Sequence, residues 1–352
     1  MKKKLIVFIV VIGVLFLFGI YKGCQATTNS KTVRIGAVLP LTGSLSFVGE
    51  SAQKGMILAV DEYKSNNEAG NSVQLIVADG KSTAKDSIMA YRHLTTGQNL
   101  NALFCVATIG AKAISEQKPE MPFYMTIVSD SEIARNKPRW LNLTLNNEQE
   151  VDTILDYFKN SGKGRIAVVY QHDDLGVYTF ETVTSRHDVI IVAGEEVSDE
   201  SQVPSIVASI CEKHPDAVFI AAVGNIAASI AKKLAEYRYA GSIASFSGFN
   251  TPSVLKHAGD AANGILICIT QYDIGNTNEV SSFKQLYLKK YDAQPDFIAA
   301  YAYSLMSIYL TSGVDAQNYH TLFGDLEKAS DGTIRFPLKI AQLKNGKVHV
   351  VE

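Results

Sequence analysis

At 352 residues the chain is longer than one hydrophobic core ordinarily serves, so two domains are expected rather than one. With 47% hydrophobic and 19% charged residues it carries too much apolar material to be disordered, and a formal net charge of -2 provides no basic surface for nucleic acid.

Lys2, Lys3 and Lys4 precede an apolar run from Leu5 to Ile20. Such a charge step holds the lysines in the cytoplasm and exports the remainder of the chain. The run is longer than the roughly 7 to 15 residues of a signal-peptide core and shorter than the roughly 20 of a full membrane span. Gly23-Cys24 resembles the end of a bacterial lipoprotein box, in which Cys24 is acylated, although Tyr21 and Lys22 fit that box poorly. A lipoprotein and an uncleaved anchor both remain open, with a simple secreted form third; the first two tether the protein to a membrane. Residues 1–31 are therefore a signal or anchor segment followed by a polar tether.

Beyond the tether, strands and helices alternate, which predicts mostly parallel sheets flanked by helices. Val33 to Leu39 reads as a strand, and the helix after it puts Met56, Ala59, Val60 and Tyr63 on one face. Between them the Thr42 to Gly49 loop is rich in Ser, Thr and Gly and reads as half of a ligand clamp. A strand at Val73 to Ala78, a helix at about Ala84 to Leu94 and a strand at Ala102 to Ala107 come next. The order then repeats. Arg165 to Val169 echoes Arg34 to Val38, Val189 to Ala193 stands where Gln74 to Ala78 stood, and Ala217 to Ala222 matches Leu103 to Ala107.

Two lobes of similar plan are thus predicted. Arg139 to Thr144 reads as a hinge leading into a helix whose Val151, Ile154, Leu155 and Phe158 share a face. Helices at Ser282 to Tyr291 and Phe297 to Thr311 are expected to return to lobe one. Asn345-Gly346, between two apolar runs, signals a hairpin. The expected division is 32–145 with about 272–332 for lobe one, and 146–271 with about 333–352 for lobe two.

Ile35 to Gly43, with Gly49 and Gly55 spaced behind it, resembles the opening of bacterial periplasmic solute-binding proteins of the Leu/Ile/Val-binding type. Asp79 with its following helix, Pro122 before a strand, and Gly259 to Gly264 resemble that family too, so the likeness covers nearly the whole chain after Lys31. It implies a type I Venus-flytrap fold, an α/β architecture whose two lobes close on a small solute and deliver it to an ABC-type permease. It also implies a periplasmic or extracytoplasmic protein, a monomer, with no cofactor.

The family's pocket maps onto this chain with changes. The serine that helps hold a ligand carboxylate after the third strand falls on Ile109, with Thr108 and Gly110 beside it, while a second hydroxyl position is kept as Ser129. Two aromatic positions across the cleft fall on Leu175 and Val223. The acid that pairs with a ligand ammonium falls on Ser247, which cannot neutralise charge. The resemblance therefore implies an amino-acid-like, amide or carboxylate ligand less charged than a zwitterion, with Asp173 or Asp174 as replacement anions. Phe47 and Phe249 are assigned either to the cleft or to the cover of a core.

His172-Asp173-Asp174 offers metal-ligand chemistry, but adjacent residues do not converge without partners elsewhere, so no metal is expected and a helix cap is the plainer reading. Cys105, Cys211 and Cys268 sit in apolar settings and read as buried thiols. No phosphate loop or nucleophile turn is present, so no enzyme activity is expected. The rivals are a sensory binding protein coupled to a membrane receptor and, less favoured, an amide hydrolase.

Overall fold

The computed structural model describes residues 32–67, 72–275 and 277–351. Cys24, the apolar segment and the tether lie outside the described residues. Among those described, no helix is long and apolar enough to cross a membrane.

The first sheet consists of β1 (Val33–Leu39), β2 (Val73–Asp79), β3 (Ala102–Val106), β4 (Phe123–Thr126) and β5 (Trp140–Leu143). It is entirely parallel, in the order β2-β1-β3-β4-β5. Helices Ala84–Thr95 and Thr108–Ser115 cover one face, with Leu94, Ala111 and Ile114 buried there against β3 and β4. Helices Ser46–Asn66, Asn278–Tyr291 and Phe297–Thr311 cover the other. The two that return late in the sequence do so because their apolar faces find the first core. Helices 46–66 and 297–311 pack so closely that a Cβ on Gly55 would meet the Ala299 carbonyl oxygen at 2.2 Å.

The second sheet repeats the plan with β6 (Arg165–Gln171), β7 (Ile190–Val197), β8 (Ala217–Ala221), β9 (Ser242–Ser245) and β10 (Leu266–Ile269), all parallel. A small antiparallel sheet of β11 (Asn318–Thr321), β12 (Gly324–Lys328) and β13 (Ile334–Arg335) comes after it; its Tyr319, Leu326 and Ile334 join the first core. β14 (Lys339–Lys344) and β15 (Lys347–Val350) then form the Asn345-Gly346 hairpin and complete the second sheet, in the order β15-β14-β10-β9-β8-β6-β7. Helices Asn147–Asn160 and Asp174–Ser185 cover one face of that sheet, and Val203–Glu212, Gly224–Glu236 and Pro252–Ala258 the other. Each fully buried Leu, Ile, Val or Phe in these cores contributes about 1.5 to 3 kcal/mol of transfer free energy.

Three segments join the two sheets: Thr144 to Asn146, the turn at Thr270, and Phe336 to Leu338. Gln149 ties the first to the third, donating to the Phe336 carbonyl at 2.6 Å and accepting from its N–H at 3.1 Å. The expectation that Arg139 to Thr144 is a bare hinge is corrected. Trp140, Leu141 and Leu143 are buried, and the stretch is an edge strand paired with β4.

Candidate functional site

In each sheet the helices leave the carboxyl ends of parallel strands, the edge where ligands of such sheets gather, although Thr83, Asn146 and Asp173 already cap three of them. A cavity of about 420 Å3 opens at that edge of both sheets. From the first sheet it is lined by Thr108, Lys112, Ser129, Asp130 and Glu132. Its other wall is Asn146, Asn147, Glu148, Leu175 and Tyr178, at the starts of helices 147–160 and 174–185.

Thr108 and Ser129, far apart in sequence, meet here. Their hydroxyls lie 3.2 Å apart, and the Ser129 N–H donates to Thr108 Oγ1 at 3.1 Å. Both follow left-handed residues that carry a side chain: Ala107 at φ 78 and Ile127 at φ 56. Such backbone costs about 1 to 3 kcal/mol per residue and persists only where the surroundings enforce it. The hydrogen bonds between Thr108 and Ser129 keep the two hydroxyls together at the cavity wall.

Leu175 lines the cavity as well, and so does Tyr178 one turn further on, donating to Glu148 Oε2 at 3.3 Å. Leu175 and Tyr178 thus put one aliphatic and one aromatic side chain on the same wall. Asp173 caps its helix by accepting from the Gly176 N–H at 2.8 Å. Phe47 (63% exposed), Ile109 (43%) and Val223 (44%) do not line this cavity; they stand at the starts of helices 46–66, 108–115 and 224–236, on the same edge of the sheets.

Other candidates are placed differently. Phe249 is only 3% exposed and packs with Val254 and Ile267 in the second core, so the cover-of-the-core reading holds for it and the cleft reading is corrected. Gly110 faces inward: a Cβ there would stand 3.1 Å from Cys105 Sγ and from Ser87 Oγ. Thr42 does not reach into the cleft. Its hydroxyl donates to Asp79 Oδ2 at 2.7 Å, while Asp79 Oδ1 accepts from the N–H groups of Leu41, Thr42 and Lys81. Burial pushes the Asp79 carboxyl up, but these hydrogen bonds outweigh it and hold the group below the usual range. The clamp-like loop is therefore a pinned turn, and Gly49 already lies inside the following helix.

Ser247 opens the short turn after β9, and its surroundings hold what sequence reasoning missed. Its N–H donates to Glu150 Oε2 and its hydroxyl to Glu150 Oε1, both at 2.7 Å. Glu150 is 3% exposed, and burial pushes its carboxyl up to about 7, the two Ser247 hydrogen bonds opposing that rise and the charge of Asp273 adding to it. A buried carboxyl thus stands beside position 247, on the first turn of helix 147–160. The signal was available: the period that aligns Ile154 and Phe158 puts position 150 on the same buried face.

The three described cysteines are free; Cys105 and Cys268 are buried, and burial pushes the Cys105 thiol up to about 12. Among the described residues no group of three His, Cys, Asp or Glu is gathered to hold a metal.

A family model described as periplasmic binding protein matches residues 32–330. Solved structures share the fold at low identity. A protein from Rhodospirillum rubrum described as a branched-chain amino acid ABC transporter superposes with a TM-score of 0.80 at 19% identity, over 91% of this chain and 100% of its own. LivJ from Streptococcus pneumoniae, a branched-chain amino acid transporter substrate-binding protein in complex with isoleucine, gives 0.70 at 19% identity, over 91% and 99%. A solute-binding protein from R. palustris in complex with benzoate gives 0.65 at 18% identity, over 91% and 95%. No curated protein matches the chain in sequence.

Proposed function

The chain belongs to the periplasmic binding protein family, and on that premise we propose that it captures a small organic solute, amino-acid-like, an amide or a carboxylate, between its lobes and hands it to an ABC-type permease. The observation that carries this reading is the cavity whose walls come from the carboxyl edges of both sheets. A solute touching both walls binds the closed arrangement better than the open one, and that difference in affinity drives closure.

Thr108 and Ser129 offer hydroxyls, Lys112 a positive charge to a ligand carboxylate, and Leu175 with Tyr178 an apolar surface. Phe47, Ile109 and Val223, exposed at helix starts on the same edge, are further apolar contacts open to the solute. The proposed lobes are 32–145 with about 272–332 and 146–271 with about 333–352; the packing of Ile334 and Phe336 with the first core supports extending its return segment to about 336. The protein acts outside the cytoplasm as a monomer, tethered through Cys24 or through its amino-terminal segment.

Solution scattering on the segment from residue 32, across a panel of amino acids, amides and carboxylates, tests the reading. Ligand-dependent contraction, with the compound recovered unchanged, is expected. One fixed shape across the panel, or turnover of the compound, would refute it. Loss of membrane attachment in Cys24→Ser would distinguish lipid tethering from an uncleaved anchor.

A further inference from the structure

We propose that a cavity beside the first core, formed by helices 46–66, 278–291 and 297–311 with β11, is a second binding site, for a small organic ammonium compound that also carries hydroxyl groups. It shares no lining residue with the cavity between the sheets and does not depend on the capture reading.

The cavity measures about 370 Å3, within the range of small-molecule sites. All the elements that line it pack on the first core. Glu62 lies about 24 Å along helix 46–66 from the helix start at the sheet edge. Ser304 lines the cavity, is 1% exposed, and its buried hydroxyl has no hydrogen-bond partner among the described residues. A serine or threonine inside a helix can settle its hydroxyl on the carbonyl one turn back, as Thr311 does on Ser307 at 2.7 Å. Ser304 makes no such bond, and a buried hydroxyl left unmatched is costly. A hydroxyl of a bound molecule would relieve that cost.

The charge of the wall selects the rest of the ligand. Glu62 and Glu279 line the cavity, and among the described residues no lysine or arginine does. Burial pushes the Tyr303 phenol up, so it stays protonated and donates to Glu62 Oε2, which fixes that carboxylate at the wall. His320 reaches Asp325 at 2.6 Å through Nδ1 and Glu279 only at 4.0 Å through Nε2. Even as an imidazolium it leaves the carboxylates of Glu62, Glu279 and Asp325 in excess. Among the described residues no group of three His, Cys, Asp or Glu is gathered to hold a metal, so the wall fits an organic cation. The hydroxyls of Ser282 and Ser307 on the same wall suit the hydroxyl groups of such a molecule.

The test uses the full chain and probes matched except for the cation: glucosamine with glucose, and ethanolamine with ethylene glycol. Thermal shift finds the binders, and calorimetry at pH 7 measures them. The amine of at least one pair is expected to bind and its uncharged partner not to. Glu62→Gln, which keeps an acceptor for Tyr303, is expected to weaken the amine by roughly tenfold or more, the worth of a charged hydrogen bond. Ser304→Ala, which removes only the unmatched hydroxyl, is expected to weaken it by roughly three- to tenfold without lowering the unfolding midpoint of the free protein. Equal binding of the partner lacking the amine, or amine affinities within about twofold of wild type in both variants, overturns the assignment and leaves the capture reading standing. A wild-type protein that neither amine stabilises overturns it as well.

Discussion

Replacing Glu150 by glutamine should make the ligand-free protein more stable, and only above a defined pH. The carboxyl has an ordinary value of 4.5 and is pushed up to about 7 by burial in the fold. A folded state that holds its proton more tightly than the unfolded chain is favoured while both are protonated and loses ground as pH rises between those two values. Once the group is fully ionised the accumulated loss is about 3 kcal/mol, from 1.36 kcal/mol for each tenfold difference in proton affinity. Glutamine keeps the shape and an oxygen acceptor for Ser247 without carrying charge. Urea unfolding of both proteins from pH 4 to pH 8.5 isolates the effect, because titrations that do not interact with Glu150 cancel in the difference. The difference in unfolding free energy should be flat below about pH 4.5, swing toward the variant between about 4.5 and 7, and level off above about 8. Parallel curves across the whole range would show that Glu150 is not held in the desolvated state on which the argument depends.

Gly55→Ala should cost about 1 to 3 kcal/mol or more, because the new Cβ would lie 2.2 Å from the Ala299 carbonyl oxygen; thermal unfolding measures it. Asp79→Asn should loosen the turn at Leu41 to Ser46, since Asp79 accepts three backbone N–H groups and the Thr42 hydroxyl. The held-down carboxyl of Asp79 contributes stability above its ordinary value of 3.8 and loses it as pH falls below that. Wild type and variant should therefore converge in strong acid, which denaturation at pH 2 and pH 6 checks. Ser129→Ala should weaken solute binding by roughly 0.5 to 1.5 kcal/mol, the worth of one neutral hydrogen bond, with the unfolding midpoint little changed; calorimetry with a probe that wild type binds gives the result.

The alternation of strand and helix, its repetition, and the return of Phe297 to Thr311 to the first lobe were all legible in the residues. So were the cap at Asp173 and the hairpin at Asn345-Gly346. These arise from interactions among near neighbours: a period of two or 3.6, a side chain reaching an N–H three residues on, a turn that only certain backbones adopt. Thr108, Ser129 and Leu175, which line the cavity, were placed there by the likeness to the family rather than by their own local pattern.

Only the tertiary structure decided which side chains share one space. Ser247 alone suggested a pocket without an anion, yet its N–H and hydroxyl both bind Glu150, 97 positions earlier. Phe249, two residues beyond Ser247, faces the core because the short turn it sits in packs there with Val254 and Ile267. Trp140 to Leu143, legible as a connector, became an edge strand because β4 offered an unpaired side. Sequence records what each residue can do with its neighbours along the chain. Where a carboxylate finds its donors, and whether it meets water or a ligand, depends on contacts between segments that the chain brings together only when both sheets have formed.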